Sequence, residues 1–325
     1  MPPTDKTTDK TTDKTAEDTT GEDKTAPRHR PRNDRRRTLR RTLRREAPST
    51  VGLLADAGDF AAMRDYRSFT FDDHQDYLRH VDGLLRSLAS QGIHTTVALF
   101  DPEEYAVFCE EHDLDPDTAE TRTRFTAELA GGSGGLAYTG QPIEELVPLL
   151  VDEAVRQATW EYATTLLAAV GNCADCGEDI GHASFERAAE ALKRLVAGAG
   201  RGHHHLVCSI PTEEEQLVAV LHADADDDPA APPRIEGRDG LDFVTVLAAG
   251  IALGGPGGLV LRSTTEGFRD RVHGWRLDRG RLVPLSAASV FNAYCTDADT
   301  GDPVAPEPGV EYCPGYEVDD PGPHH

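Results

Sequence analysis

Apolar residues return every three or four positions along much of this chain, the spacing that places them on one face of a helix. Thr70 and Asp73 stand at a helix start, and Tyr77, Val81, Leu84, Leu85 and Leu88 then line one face until Gly92. Asp101 and Pro102 open a second helix, with Glu103 and Glu104 set against the positive end of its dipole. Another is expected over 118–130. A long one follows over 148–170, with Val151, Val155, Ala158, Tyr162, Leu166 and Ala169 on its apolar face. Pro148 suits the first turn of that helix, because proline has no N–H for an earlier carbonyl. Residues 184–199 are again helical in pattern, and Ser286 begins a short helix.

A period of two takes over elsewhere. Residues 94–100 (HTTVALF) read as a buried strand, rich in β-branched and aromatic side chains. In 203–210 the alternation puts His204, Leu206, Cys208 and Ile210 on one side and His203, His205, Val207 and Ser209 on the other. Strands are also expected over 216–223 and 259–264, and a hairpin joins 271–277 to 281–285 around Asp278-Arg279-Gly280. The apolar run 241–253 has no clear period, so it predicts either a helix or a buried strand.

These elements define an α+β fold: a helix-rich N-terminal half, then a mixed half with a mainly antiparallel sheet, preceded by a disordered tail. Three regions follow. Residues 1–48 repeat Thr-Asp-Lys and then turn arginine-rich, with too little apolar surface to offset chain entropy. Residues 49–135 form a helical region with one buried strand, and 136–325 an α+β region. The glycine run 131–135 (GGSGG) is read as a linker. It matches the spacing of a hydrolase nucleophile elbow, but that motif needs a strand before the serine and a helix directly after it. A surface loop inside one domain spanning 49–325 would look the same.

Charge divides the chain at the same place. Residues 1–45 carry 4 Lys and 10 Arg against 8 acids, a net of +6, whereas the remaining 280 residues carry 19 basic groups against 49 acids, a net of -30. An acidic body of that size repels nucleic acid over most of its surface, so it is expected to have no broad nucleic-acid-binding face. The basic run from Arg28 to Arg45, with Leu39 and Leu43 four apart, can form a short helix on an anionic partner such as RNA, DNA or lipid. No apolar run reaches membrane-spanning length, so no membrane span is expected. Paired arginines at 40–41 and 44–45 precede an apolar stretch too short for an export signal, interrupted by Asp56. Six cysteines are too few for a disulfide scaffold. A cytoplasmic protein is expected.

One stretch offers chemistry. Cys173-Ala174-Asp175-Cys176-Gly177 places two thiols where one turn can grip a zinc ion, with Gly177 free of a side chain where the chain bends. His182 is the nearest third ligand in sequence. The fourth is open among His203, His205, Cys208 and, from the C-terminal region, Cys295 or Cys313. A redox dithiol is the competing use, but such a motif follows a strand and opens a helix, whereas a helix precedes this pair. Cys109, beside Tyr105 and Phe108, belongs to a core. His273-Gly274-Trp275 is expected to pack on its hairpin. The acidic runs 224–228 and 297–302 resemble cation loops only in charge.

The chain has no H-E-x-x-H, no H-x-E followed by P-C-x-x-C, no Walker loop and no dinucleotide-binding glycine motif after a strand. The resulting expectation is a non-catalytic cytoplasmic protein with one structural zinc site and a basic tail that tethers it to an anionic partner. The alternatives are a zinc-dependent enzyme, with Glu178 or Asp179 as base, and a nucleic-acid binder acting through its tail.

Overall fold

The computed structural model describes residues 49–129, 135–226, 232–235, 237–297 and 300–318. The Thr-Asp-Lys repeat, the basic run and nearly all of the glycine run lie outside these residues. Among the described residues, eight helices and ten strands make an α+β body.

The chain enters in β1 (Ser49–Leu53), crosses through α1 (Ala57–Met63) and α2 (His74–Ser90), and returns in β2 (Thr95–Leu99), which pairs parallel to β1 with Val51 opposite Val97. Two helices, α3 (Pro102–Glu111) and α4 (Ala119–Leu129), precede β3 (Leu136–Ala137), which joins β2 antiparallel. The chain thus returns to the same small sheet after the glycine run. Asp73 and Asp101 cap α2 and α3 as expected, Asp73 accepting the Asp76 amide and Asp101 the amides of Glu103 and Glu104. Tyr77, Val81 and Leu85 face inward, while Leu84, expected beside them, is 48% exposed. Cys109 is buried among the aromatic side chains of this core. Strand β1 was not foreseen, because STVGL is short and carries no two-residue period.

The long helix α5 (Ile143–Val170) begins five residues earlier than its pattern predicts, and Pro148 lies inside it. The buried face differs too. Ile143, Leu146 and Leu150 point into the first core, Ala163 into the second, and Val151 and Val155 are exposed. The expected stripe failed because α5 serves two cores in succession, so no single face stays inward along its length.

The second core lies on a larger sheet, ordered β10-β8-β7-β4-β5-β6 with β9 also on β8. Strands β4 (Gly202–Pro211), β5 (Gln216–Ala225), β6 (Arg234–Ile235), β7 (Gly257–Thr264), β8 (Asp270–Asp278) and β9 (Arg281–Pro284) pair antiparallel. Only β10 (Val310–Tyr312) is parallel to its neighbour β8. The predicted alternation in β4 is observed: His204, Leu206, Cys208 and Ile210 are all buried. The hairpin turn has Arg279 and Gly280 both at positive φ (51° and 71°), the backbone that a tight two-residue turn requires.

Residues 237–253 form helix α7 (Gly237–Leu253). Ten consecutive residues, Asp242 to Ile251, are buried, because α7 lies between the sheet and the pair α5 and α6 (Ile180–Ala199). That enclosure explains the missing period. Asp242 is compensated by Arg156, which also pairs with Glu153 at 2.5 Å, so a salt-bridge cluster ties α5 to α7. The last helix, α8 (Ala287–Tyr294), is capped by Ser286 as expected. His273 and Trp275 are structural: the His273 ring bonds the Pro314 carbonyl at 2.8 Å, and Trp275 Nε1 donates to the Tyr316 carbonyl at 2.8 Å.

Candidate metal centre

Helices α5 and α6 approach closely where Gly181 meets the Leu167 carbonyl, and the cysteine pair occupies the loop that connects them. Gly171 leaves α5 at φ 76° and turns the chain away from the helix axis. Asn172 and Asp179 then form an antiparallel bridge, and the Ile180 amide donates to the Gly171 carbonyl at 3.1 Å. Inside this clasp the Cys173 amide donates to Glu178 O and the Gly177 amide to Cys173 O, both at 2.8 Å. Asn172 Nδ2 closes the loop from outside on Gly177 O at 3.0 Å. Gly177 sits at φ 76°, which a side chain would oppose. The Asp179 carboxylate accepts from His182 N at 2.8 Å and starts α6.

The turn gathers donors onto one sulfur. Hydrogen bonding from the Cys176 and Asp175 backbone and from the Cys176 side chain, opposed by desolvation and the Asp175 charge, holds the Cys173 thiol below its ordinary pKa. Amides aimed at sulfur favour the thiolate, the form that binds metal. Cys176 and its neighbours in the loop are exposed, and Cys173 is half-buried.

The other expected ligands lie apart from this pair. His182 stands on the first turn of α6 with Nε2 3.4 Å from Glu186, one turn further along the helix. On the outward face of β4, His203 shares a 2.6 Å hydrogen bond with Asp224, which lowers the Asp224 pKa. His205 packs against His222 with ring centroids 4.8 Å apart, and burial together with His222 and Arg262 lowers its pKa. Cys208 faces the core, fully enclosed by aliphatic side chains, and burial pushes its thiol up to about 12. Cys295 is buried, and Cys313 Sγ turns toward the Glu311 carbonyl at 3.8 Å. Among the described residues no three of His, Cys, Asp and Glu stand close enough to share a metal ion.

A second feature was missed. At the far end of α6 a cleft of about 600 Å³ is lined by Ala199, Arg201, Thr265, Phe268, Arg269, Arg271 and Glu311 among others. Its floor is fixed by hydrogen bonds: Thr265 Oγ1 donates to Arg201 O at 3.1 Å, and Arg271 Nη2 to Ala199 O at 3.3 Å. Gly202 is required there, because a Cβ would lie 2.6 Å from the Thr264 carbonyl. Phe268 is 71% exposed at the rim. The available signal was Arg269 and Arg271, two apart at the mouth of an expected strand and hence on one side of it. Arg201 joins them only through the fold.

Residues 38–141 match the model of a family described as a domain of unknown function, DUF8829. The match stops just before α5. It takes in the smaller sheet with α1 to α4, but neither the cysteine loop nor the arginine cleft. No curated protein and no solved structure matches the chain.

Proposed function

We propose that the protein binds zinc through Cys173 and Cys176 as a structural rather than a catalytic ion. The supporting observation is the preformed turn, closed by the Cys173–Glu178 and Gly177–Cys173 backbone hydrogen bonds, in which hydrogen bonding from Cys176 and Asp175 favours the Cys173 thiolate. Zinc bound there would clamp the start of α6 to the end of α5. Because the ligands must be reduced thiolates, the reading suits a cytoplasmic protein. The run from Arg28 to Arg45 is outside the described residues. Its charge alone supports its proposed role as a tether to an anionic partner, which deletion of residues 1–48 tests.

The zinc reading is checked by melting the zinc-loaded protein with and without a chelator, beside a Cys173→Ser/Cys176→Ser variant. A ligand bound only to the folded state raises stability by about 2.7 kcal/mol at a hundredfold excess over its dissociation constant. The wild type is therefore expected to lose several degrees on chelation, and the variant to melt at the chelated temperature throughout. Coincident wild-type curves with and without chelator would contradict the assignment.

The arginine cleft favours a second role, independent of the metal. In a body of net charge -30, three arginines, Arg201, Arg269 and Arg271, line one cleft together with a single carboxylate, Glu311. Guanidinium groups recognise phosphate by paired hydrogen bonds, and the cleft lies within the roughly 300–1,000 Å³ of small-molecule sites. We propose that it holds a phosphate-bearing small molecule. Calorimetry with inorganic pyrophosphate should give saturable binding, weakened about tenfold in Arg269→Ala, the loss of one charge-assisted contact. No binding at millimolar pyrophosphate, or unchanged affinity in the variant, rejects the role.

A further inference from the structure

We infer that a second copy of this chain completes the metal site, so that two Cys173–Cys176 loops, one from each copy, hold a single zinc ion through four thiolates. The inference rests on the proposal that the pair binds zinc, and adds who supplies the missing ligands.

Structural zinc is four-coordinate, and the loop supplies two sulfurs. Among the described residues nothing stands beside them as a third ligand. His182, the nearest candidate in sequence, stands on the first turn of α6 with Nε2 3.4 Å from Glu186. The loop is the exposed connection between α5 and α6. Asn172 and every residue from Ala174 to Asp179 are exposed, so the pair is open to an object as large as another copy. A twofold axis through the metal makes the contact self-complementary, each copy giving the same two residues. The turn is already locked by the Cys173–Glu178, Gly177–Cys173 and Asn172–Gly177 hydrogen bonds, so little ordering remains to be done on binding.

Charge makes this contact depend on metal. Asp175, Glu178 and Asp179 are exposed residues of the same loop on each tip. Two metal-free tips repel each other, and the dication supplies the attraction between them. As zinc binds, four Zn–S bonds replace up to four S–H bonds, and each thiol not already ionised releases its proton to solvent. No electrons move, and the product carries a charge of 2−. Repulsion between like tips also means that added salt favours assembly, the reverse of a contact between opposite charges.

The test uses untagged full-length protein, freed of metal and kept reduced, titrated with zinc while its mass is followed by sedimentation. The expected result is a rise from 35.2 kDa to twice that mass, complete at about half an equivalent of zinc per chain. Cys173→Ser/Cys176→Ser should stay monomeric with an unchanged circular dichroism spectrum, since both side chains lie in an exposed loop. One zinc per chain on a monomer overturns the second-copy inference and leaves the zinc proposal standing. No specific uptake of zinc overturns both. A dimer that forms without zinc, or persists in the double variant, also overturns the inference.

Discussion

His204 ties the start of the larger sheet to the end of α6. Its ring is 2% exposed, with Nε2 2.9 Å from the Gly200 carbonyl and Nδ1 3.0 Å from Ser263 Oγ. A neutral ring satisfies both, donating from Nε2 and accepting from the serine hydroxyl. Burial lowers its pKa, the Gly200 carbonyl opposes that, and of the charged neighbours Arg271 and His203 lower it while Asp224 raises it. The unfolded chain therefore takes up this proton first as the solution is acidified. Stability from His204 is full above the unfolded value of about 6.5 and is lost as pH falls from there through the lowered folded value. Wild-type protein should melt progressively lower between pH 7.5 and 5.5. His204→Gln, less stable at neutral pH, should show a flatter dependence over that range. An equal slope in the two proteins would show that another group governs the response. The inward placement of this residue was legible in the sequence from strand alternation alone. The same alternation put Cys208 beside Leu206 and Ile210 in the core, but its sulfur remained a candidate ligand because a spacing of residues gives no distances. His203 and His205 were legible as outward-facing, and their partners Asp224 and His222 come from the neighbouring strand β5, whose register no single strand reveals.

At the scale of elements, two helical glycines separate propensity from packing. Gly83 lies exposed on α2, with nothing within 4 Å of where a Cβ would stand. Gly181 lies in the first turn of α6, and its Cβ would fall 2.6 Å from the Leu167 carbonyl of α5. Alanine is favoured over glycine in a helix by about 0.8–1.0 kcal/mol. Gly83→Ala is thus expected to raise the melting temperature, whereas Gly181→Ala should lower it, because backbone must move to admit the methyl group. A stabilising Gly181→Ala would mean that α5 and α6 are not closely joined at the cysteine loop. Capped, amphipathic helices such as α2 and α3 were readable because one local signal starts them and one face stays inward. Helix α5 was not, since its inward face changes where it passes from one core to the next. The run in α7 was readable as buried but not as helical, because enclosure on all sides erases the period that distinguishes the two.

Across the whole molecule, the sequence carried the α+β class, the order of most elements and the loop that holds the cysteines. It did not carry β10, which lies in a stretch dominated by proline and acid and is stabilised by its neighbour β8 rather than by a pattern of its own. Nor did it carry the arginine cleft, whose side chains come from the α6–β4 connection, the β7–β8 turn, β8 and β10. Both depend on contacts between distant segments, whereas the Cys173–Cys176 turn is local and could be recognised in five residues. The central claim is that this turn holds zinc, and it is tested most directly by elemental analysis of untagged protein after dialysis against a mild chelator, beside the Cys173→Ser/Cys176→Ser variant. Dialysis removes metal held loosely by His203–His205 or by His324 and His325. The account predicts tightly held zinc, about half an equivalent per chain if two copies share it, and none in the variant. Wild-type protein that retains no zinc, or a variant that retains as much as wild type, would contradict it.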